Sequence, residues 1–167
     1  MDKETGFSHL GESGEARMVD VSGKRATARI AVAEAWVNVG PAIAAKMRKT
    51  GGVAKGNVIE TARLAAVMAA KRTGELIPMC HPLALDIVDV TGELLGDRVR
   101  IQASVSCEGK TGVEMEAMTA ASVGALTVYD MVKSMGKGVE IGPVRLLKKS
   151  GGKSGAWQRE DNRDAAD

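Results

Sequence analysis

Aromatic side chains are almost missing from this 167-residue chain, where Phe7, Trp36, Tyr129 and Trp157 make up the whole 2%. A core must therefore be built from Ala, Val, Ile, Leu and Met, and a platform on which successive nucleic-acid bases stack is hard to assemble. Cysteine is equally scarce. Cys80 and Cys107 form no disulfide framework, and no apolar run near the N-terminus reads as a signal peptide or membrane span. A reducing cytoplasm is the expected setting. Neither sign of charge dominates, with a net +2 on 26% charged residues, so any anion site must come from local clusters rather than from a broadly basic surface. The length suits one domain with a single core.

The strongest pattern lies in the second half. Val113, Ala117, Ala120, Ala121, Gly124, Ala125, Val128, Met131 and Val132 recur at three- and four-residue spacing, which predicts a long helix opened by the Gly-rich turn Glu108-Gly109-Lys110-Thr111-Gly112. Glu116, Thr127, Asp130 and Lys133 fall away from that stripe. Asp130 and Lys133 are three residues apart and can meet on one helix face, the plain alternative being a solvated surface pair of little energetic weight. Glu114 and Glu116 point to different sides. Glu116 and Asp130 are about 21 Å apart along a helix rising 1.5 Å per residue, so a single compact centre using both needs a bridging loop or a second subunit.

Residues 1–17 mix Gly, Ser, Glu and Lys without period and are expected to form a mobile arm, with 18–22 the first anchored piece. Partial alternation over 26–39 predicts a strand. Pro41 starts a short helix to Lys49, stopped by Gly51-Gly52. Asn57, with Glu60 three residues on, opens a helix with the small-residue face Ala62, Ala65, Ala66 and Ala69, expected to end near Gly74. Strands over 85–94 and 98–106 join at Gly96-Asp97, and a last strand covers 139–147. The β-α-β-β-α-β order predicts a ferredoxin-like α+β sandwich, an antiparallel sheet with its helices packed on one face. Val99, Ile101, Ala103 and Val105 alternate with Arg98, Arg100, Gln102 and Ser104, so the other face is wet or shared with a partner. The expected single domain spans 18–156, followed by a disordered tail over 157–167.

Several residues stand out as candidates. Lys55 precedes a helix N-terminus, where free amide N–H groups and an ammonium together favour an anion; a solvated lysine is the alternative. Arg29 is either a strand-surface charge or a phosphate contact. In Ile77-Pro78-Met79-Cys80-His81-Pro82-Leu83 the two prolines hold their predecessors extended, so His81 is presented rigidly. Cys80 and His81 then face opposite ways, which argues against a thiolate–imidazole pair, and the spacing of Cys80, His81 and Cys107 is not that of a zinc site. Two Gly-Lys-Ser/Thr triplets invite a phosphate-loop reading. Both fail it, because Leu147 and Ser104 stand where the first glycine of that motif is required. Flexible glycine backbone beside Lys110, Lys149 or Lys153 can still approach phosphate oxygens.

The strings Met18-Val19-Asp20-Val21-Ser22, Ala70-Lys71-Arg72-Thr73, Ile77-Pro78-Met79-Cys80-His81-Pro82-Leu83, Gly109-Lys110-Thr111-Gly112-Val113-Glu114-Met115-Glu116-Ala117, Tyr129-Asp130-Met131, Ile141-Gly142-Pro143-Val144-Arg145-Leu146-Leu147 and Lys149-Ser150-Gly151-Gly152-Lys153-Ser154-Gly155 resemble the molybdenum cofactor biosynthesis protein C family, the cyclic pyranopterin monophosphate synthases. The resemblance covers about residues 8 to 156. It implies conversion of (8S)-3′,8-cyclo-7,8-dihydroguanosine 5′-triphosphate to cyclic pyranopterin monophosphate with release of diphosphate, a phosphorus–oxygen lyase activity. It also implies that Asp130 and Lys133 carry the acid/base work, with Lys55 and Lys149 in the pocket. Substrate contacts fall on Met79, Cys80, His81, Met115 and Glu116, with Arg29 and Glu114 nearby. The implied assembly is a homohexamer built from dimers, with sites at a subunit interface. No metal or resident cofactor is implied, and a divalent cation such as Mg2+ accompanying the nucleotide is left open. The chain departs from the family pattern at Val53-Ala54, where histidines often stand, and at Asn57, often aspartate.

Two other classes compete. The same element order builds RNA-recognition modules, but the strand over 98–106 has no aromatic residue where such a module stacks bases. A purely structural oligomer would use the outward sheet face as an interface and turn nothing over.

Overall fold

A computed structural model describes residues 15–50 and 55–160. Strand β1 (Thr27–Asn38) leads to helix α1 (Gly40–Thr50), α2 (Val58–Lys71) and the short α3 (Thr73–Leu76). Strands β2 (Ile87–Leu95) and β3 (Arg98–Gly109) form a hairpin, α4 (Glu114–Val132) crosses back, and β4 (Glu140–Ser150) and β5 (Trp157–Gln158) follow. The sheet order is β2-β3-β1-β4-β5 with every pairing antiparallel, the ferredoxin-like arrangement expected from the element order.

The inward residues of β3, Val99, Ile101, Ala103 and Val105, are fully buried, as their alternation requires. Against them lies the α4 stripe of Ala117, Ala120, Ala121, Ala125, Val128 and Val132, also fully buried. Small residues let the helices approach closely. A Cβ at Gly124 would lie 2.8 Å from Ile101 Cγ2 and 3.4 Å from Ala66 Cβ, so glycine is what lets α4 seat between α2 and β3. With so few aromatics, this Ala/Val packing between two helices and a sheet supplies the core.

At the start of α2, the Asn57 side chain accepts a hydrogen bond from the Glu60 N–H at 3.1 Å, so the departure from aspartate at this position keeps the cap. The reciprocal half of a capping box is not made, because the Glu60 carboxylate takes Arg63 at 2.8 Å instead. Helix α2 ends at Lys71, near Gly74 as expected, although Gly74 itself does not cap it. Gly74 lies inside α3, where a Cβ would come 3.1 Å from Pro82 Cα, so the position serves the close approach of the proline-bounded segment.

The tail expected from residue 157 is ordered at its start. Trp157 and Gln158 pair with Lys149 and Lys148, the Arg159 N–H donates to Leu147 O at 2.7 Å, and the Arg159 guanidinium stacks over Trp157 at 5.8 Å. Edge pairing with β4 outweighs the polar composition that predicted disorder. Residues 161–167, residues 1–14 of the expected arm, and Val53-Ala54 lie outside the described residues. The 18–22 piece is anchored, with the Ser22 N–H donating to Asp20 Oδ1 at 2.8 Å and Lys110 Nζ donating to Ser22 O at 2.9 Å. No helix among the described residues is long and apolar enough to cross a membrane.

Candidate active site

The first turn of α4 carries Glu114, Met115 and Glu116, and the sheet and loops wrap two adjoining cavities around it. One is a cup of about 740 Å³ between the Gly23-Lys24-Arg25 turn, the β3–α4 loop and the end of β4. Six cationic side chains, Lys24, Arg25, Arg29, Lys110, Lys149 and Lys153, line it against the single carboxylate of Glu114. Arg29 is fixed by donating from Nε to Gly109 O at 3.2 Å, and Lys149 Nζ donates to Glu114 Oε1 at 2.8 Å. Gly151 and Gly152 have φ of 103° and 71°, and a Cβ on Gly151 would overlap the backbone oxygen of Ala28, so glycine is required for the β4 end to turn against this wall.

The second cavity, about 370 Å³, is lined by Met79, Cys80, His81, Met115 and Glu116, with Val19 and Val21 of the anchored arm. Lys24, Thr111, Gly112 and Glu114 line both cavities and so form their junction. The proline-bounded 77–83 segment thus brings its Met, Cys and His to the same wall as the start of α4.

Glu116 differs from expectation. It falls off the apolar stripe in sequence, yet it is only 3% exposed, and its Oε2 has no hydrogen-bond partner. The second cavity is walled by the 79–83 segment and the arm, which cover the flank of α4 that would otherwise face water. Burial pushes its carboxyl above the ordinary glutamate range, and the charge of Glu114 adds to the rise. Glu114 moves the other way. Burial alone would raise it, but the hydrogen bond and charge of Lys149 outweigh burial and hold it low. Burial, and then Glu116, also raise the Cys80 thiol, which keeps it protonated and a poor nucleophile.

The far end of α4 holds the other group. Lys133 Nζ lies 2.6 Å from Asp130 Oδ1, so the predicted pair forms, and Lys55 Nζ joins it at 3.1 Å from Asp130 Oδ2 and 3.0 Å from Asp130 O. All three side chains are about half exposed. The hydrogen bonds from Lys133 and Lys55 lower the Asp130 carboxyl, and the bond to Asp130 raises Lys133, which is therefore an ammonium and a proton donor in this arrangement. Lys55 and Lys149 do not share a pocket within one chain. Lys149 bonds Glu114 in the first turn of α4 and Lys55 bonds Asp130 in the last, about 24 Å apart at 1.5 Å per residue. Among the described residues no group of three or more His, Cys, Asp or Glu is arranged to hold a metal ion.

The profile of the MoaC family matches residues 18–152. The chain belongs to the MoaC family. Two relatives extend the likeness beyond the matched core. A protein of Chloroflexus aggregans named cyclic pyranopterin monophosphate synthase is 50% identical over 158 residues, covering 93% of this chain and 95% of its own. A protein of the same name from Novosphingobium aromaticivorans is 48% identical over 152 residues, covering 91% of this chain and 96% of its own.

The MoaC chain's cup includes two residues that sequence reasoning passed over, Lys24 and Arg25. The local signal was the basic pair following Gly23, but only tertiary structure sets that turn opposite the Gly151-Gly152 loop.

Proposed function

We propose that this chain is a cyclic pyranopterin monophosphate synthase of molybdenum cofactor biosynthesis, acting in the cytoplasm as a phosphorus–oxygen lyase. It converts (8S)-3′,8-cyclo-7,8-dihydroguanosine 5′-triphosphate to cyclic pyranopterin monophosphate and releases diphosphate. The observation that carries the reading is the junction of a strongly cationic cup with a less charged pocket beside Glu116, in a chain half identical over nearly its full length to relatives of that name. A triphosphate suits the cup, where fixed cations stabilise charge as diphosphate departs. The fused-ring end of the nucleotide suits the pocket lined by Met79, Cys80, His81, Met115 and Glu116. Ring opening, ring closure and cyclic phosphate formation all need proton transfers, which this reading assigns to Asp130 and Lys133. Incubation with the cyclic nucleotide, with and without Mg2+, should yield the pterin product and diphosphate in equal amounts. A folded protein that releases neither would leave the structural-oligomer reading.

Asp130 and Lys133 are too far along α4 to meet a substrate held at Glu116 of the same chain. The reading therefore includes a homohexamer built from dimers, in which the last turn of one chain's α4 completes the pocket of another. Mixing an inactive Lys133→Ala protein with an inactive His81→Ala protein should restore part of the activity once mixed oligomers form. Verified mixed oligomers without activity would remove the assignment of these two residues to different chains.

A further inference from the structure

The outward face of the sheet holds a third cavity, of about 510 Å³, which shares no lining residue with the two at α4. Glu34 lies in it and is only 3% exposed, although it alternates along β1 with the core residues Ala33 and Ala35. Two arginines grip it. Arg100 Nε donates to Glu34 Oε2 at 2.8 Å, and Arg145 donates to Glu34 Oε1 from both Nε and Nη2 at 2.7 Å. Burial alone would raise the Glu34 carboxyl, but hydrogen bonds from Trp36 and Arg145 and the charge of Arg100 hold it low, so it stays ionised. A third arginine is fixed in a similar way. Arg159 Nε donates to Leu146 O at 2.8 Å, and its guanidinium stacks over Trp157. Each arginine is thus anchored through Nε. The terminal N–H groups of Arg100 and Arg159, Nη1 of Arg145 and the exposed Lys148 ammonium have no hydrogen-bond partner among the described residues.

We propose that this face is a second anion site, separate from the active site, which takes a phosphate-class oxyanion on Arg100, Arg145, Arg159 and Lys148. Four cationic side chains line the cavity against one carboxylate, and both oxygens of that carboxylate are already taken. The excess of charge is therefore open to a ligand. A guanidinium fork matches two oxygens of a phosphate group, and three such forks converge here. Because each is held through Nε before any ligand arrives, little side-chain freedom is lost on binding. The volume lies within the range of small-molecule sites, so it admits diphosphate or an organic phosphate as well as phosphate itself. A second copy of the chain stacked on this face would set four cations against four. Charge thus favours a small anion over self-association. The site also lies on the back of a strand that serves α4. Arg145 and Lys148 line this cavity from β4, while Lys149, next in the chain, reaches Glu114. An anion bound here steadies the strand that carries Lys149.

Trp36 lines the cavity and Trp157 lies under Arg159, and these are the only tryptophans of the chain. Neither lines the cup, so tryptophan emission reports on this face. The whole protein is titrated with inorganic phosphate and, separately, with inorganic diphosphate at constant ionic strength, with emission and heat followed together. Wild type should show a saturable emission change with at least one of them, and the tighter of the two names the source of the ligand. Lys148→Ala/Arg159→Ala should weaken that transition by roughly tenfold or more, and Lys148→Glu alone by about threefold or more, with melting curves confirming the fold. Arg25→Ala/Lys153→Ala, which alters only the cup, should leave the midpoint within about twofold of wild type. An emission transition that is absent from wild type overturns the site. So does one that stays within about twofold in the folded Lys148/Arg159 variant, or one that moves with the cup variant instead. Heat without an emission change, lost in the cup variant, puts the anion in the cup alone and overturns it too. Sedimentation of the same proteins covers the other occupant. A fall in oligomeric mass in Lys148→Glu, with no emission transition in wild type, makes this face a contact between copies.

Discussion

The two ends of α4 carry similar chemistry in opposite surroundings. At the first turn Glu116 is buried with an unpartnered oxygen, and Glu114 is locked to Lys149 with both side chains about 30% exposed. At the last turn Asp130 sits between Lys133 and Lys55 with every side chain about half in water. The enclosed end stores electrostatic tension and already has the walls of a binding site. The open end has its groups in register and half in water, and in the proposed reading another chain supplies the wall that faces them.

The contrast breaks most sharply if the open end is not catalytic. Lys133→Ala should reduce turnover by about a hundredfold or more, the scale of a lost acid/base group, while the melting curve stays near that of wild type. Near-normal turnover in the folded variant would leave only the enclosed end as a site.

Glu116→Gln sharpens the comparison from the enclosed side. The native state holds the Glu116 proton more tightly than the unfolded chain does, so its contribution to stability falls as pH climbs from the ordinary glutamate pKa through the raised folded value. Removing that charge should raise the melting temperature at pH 7 by about 3 °C, equivalent to about 1 kcal/mol, with the gain shrinking toward pH 4. A loss of stability at pH 7 would mean that the carboxylate is satisfied in solution.

Lys149→Met runs the opposite way with a similar or smaller effect. Glu114 is held below its ordinary value, so the pair contributes stability above the unfolded carboxyl pKa and loses it as pH falls through the folded one. The variant should melt about 2–3 °C lower at pH 7 and approach wild type in acid. A difference that persists in acid would point to packing rather than charge. Least of all should change in Lys55→Ala, whose ion pair is solvated: the melting temperature should shift by about 1 °C or less. A large drop in calorimetric or optical melts would show that the Lys55–Asp130 pair is shielded from water rather than solvated.

Helix α4, the Asp130–Lys133 pair, the alternation of β3 and the ferredoxin-like order were all legible, because each depends on spacing within one segment. The strings that place the chain in its family were equally plain, and they span most of its length. Tertiary structure alone decided what lies between segments. It buried Glu116 under the 79–83 segment and the arm, and it put Lys55 and Lys149 at opposite ends of α4. It set Lys24 and Arg25 across from the Gly151-Gly152 turn, and it drew Trp157-Gln158 into the sheet. Periodicity shows which way a side chain leaves its own backbone, but the electrostatics of a carboxylate depend on what the rest of the chain brings to within a few ångströms of it.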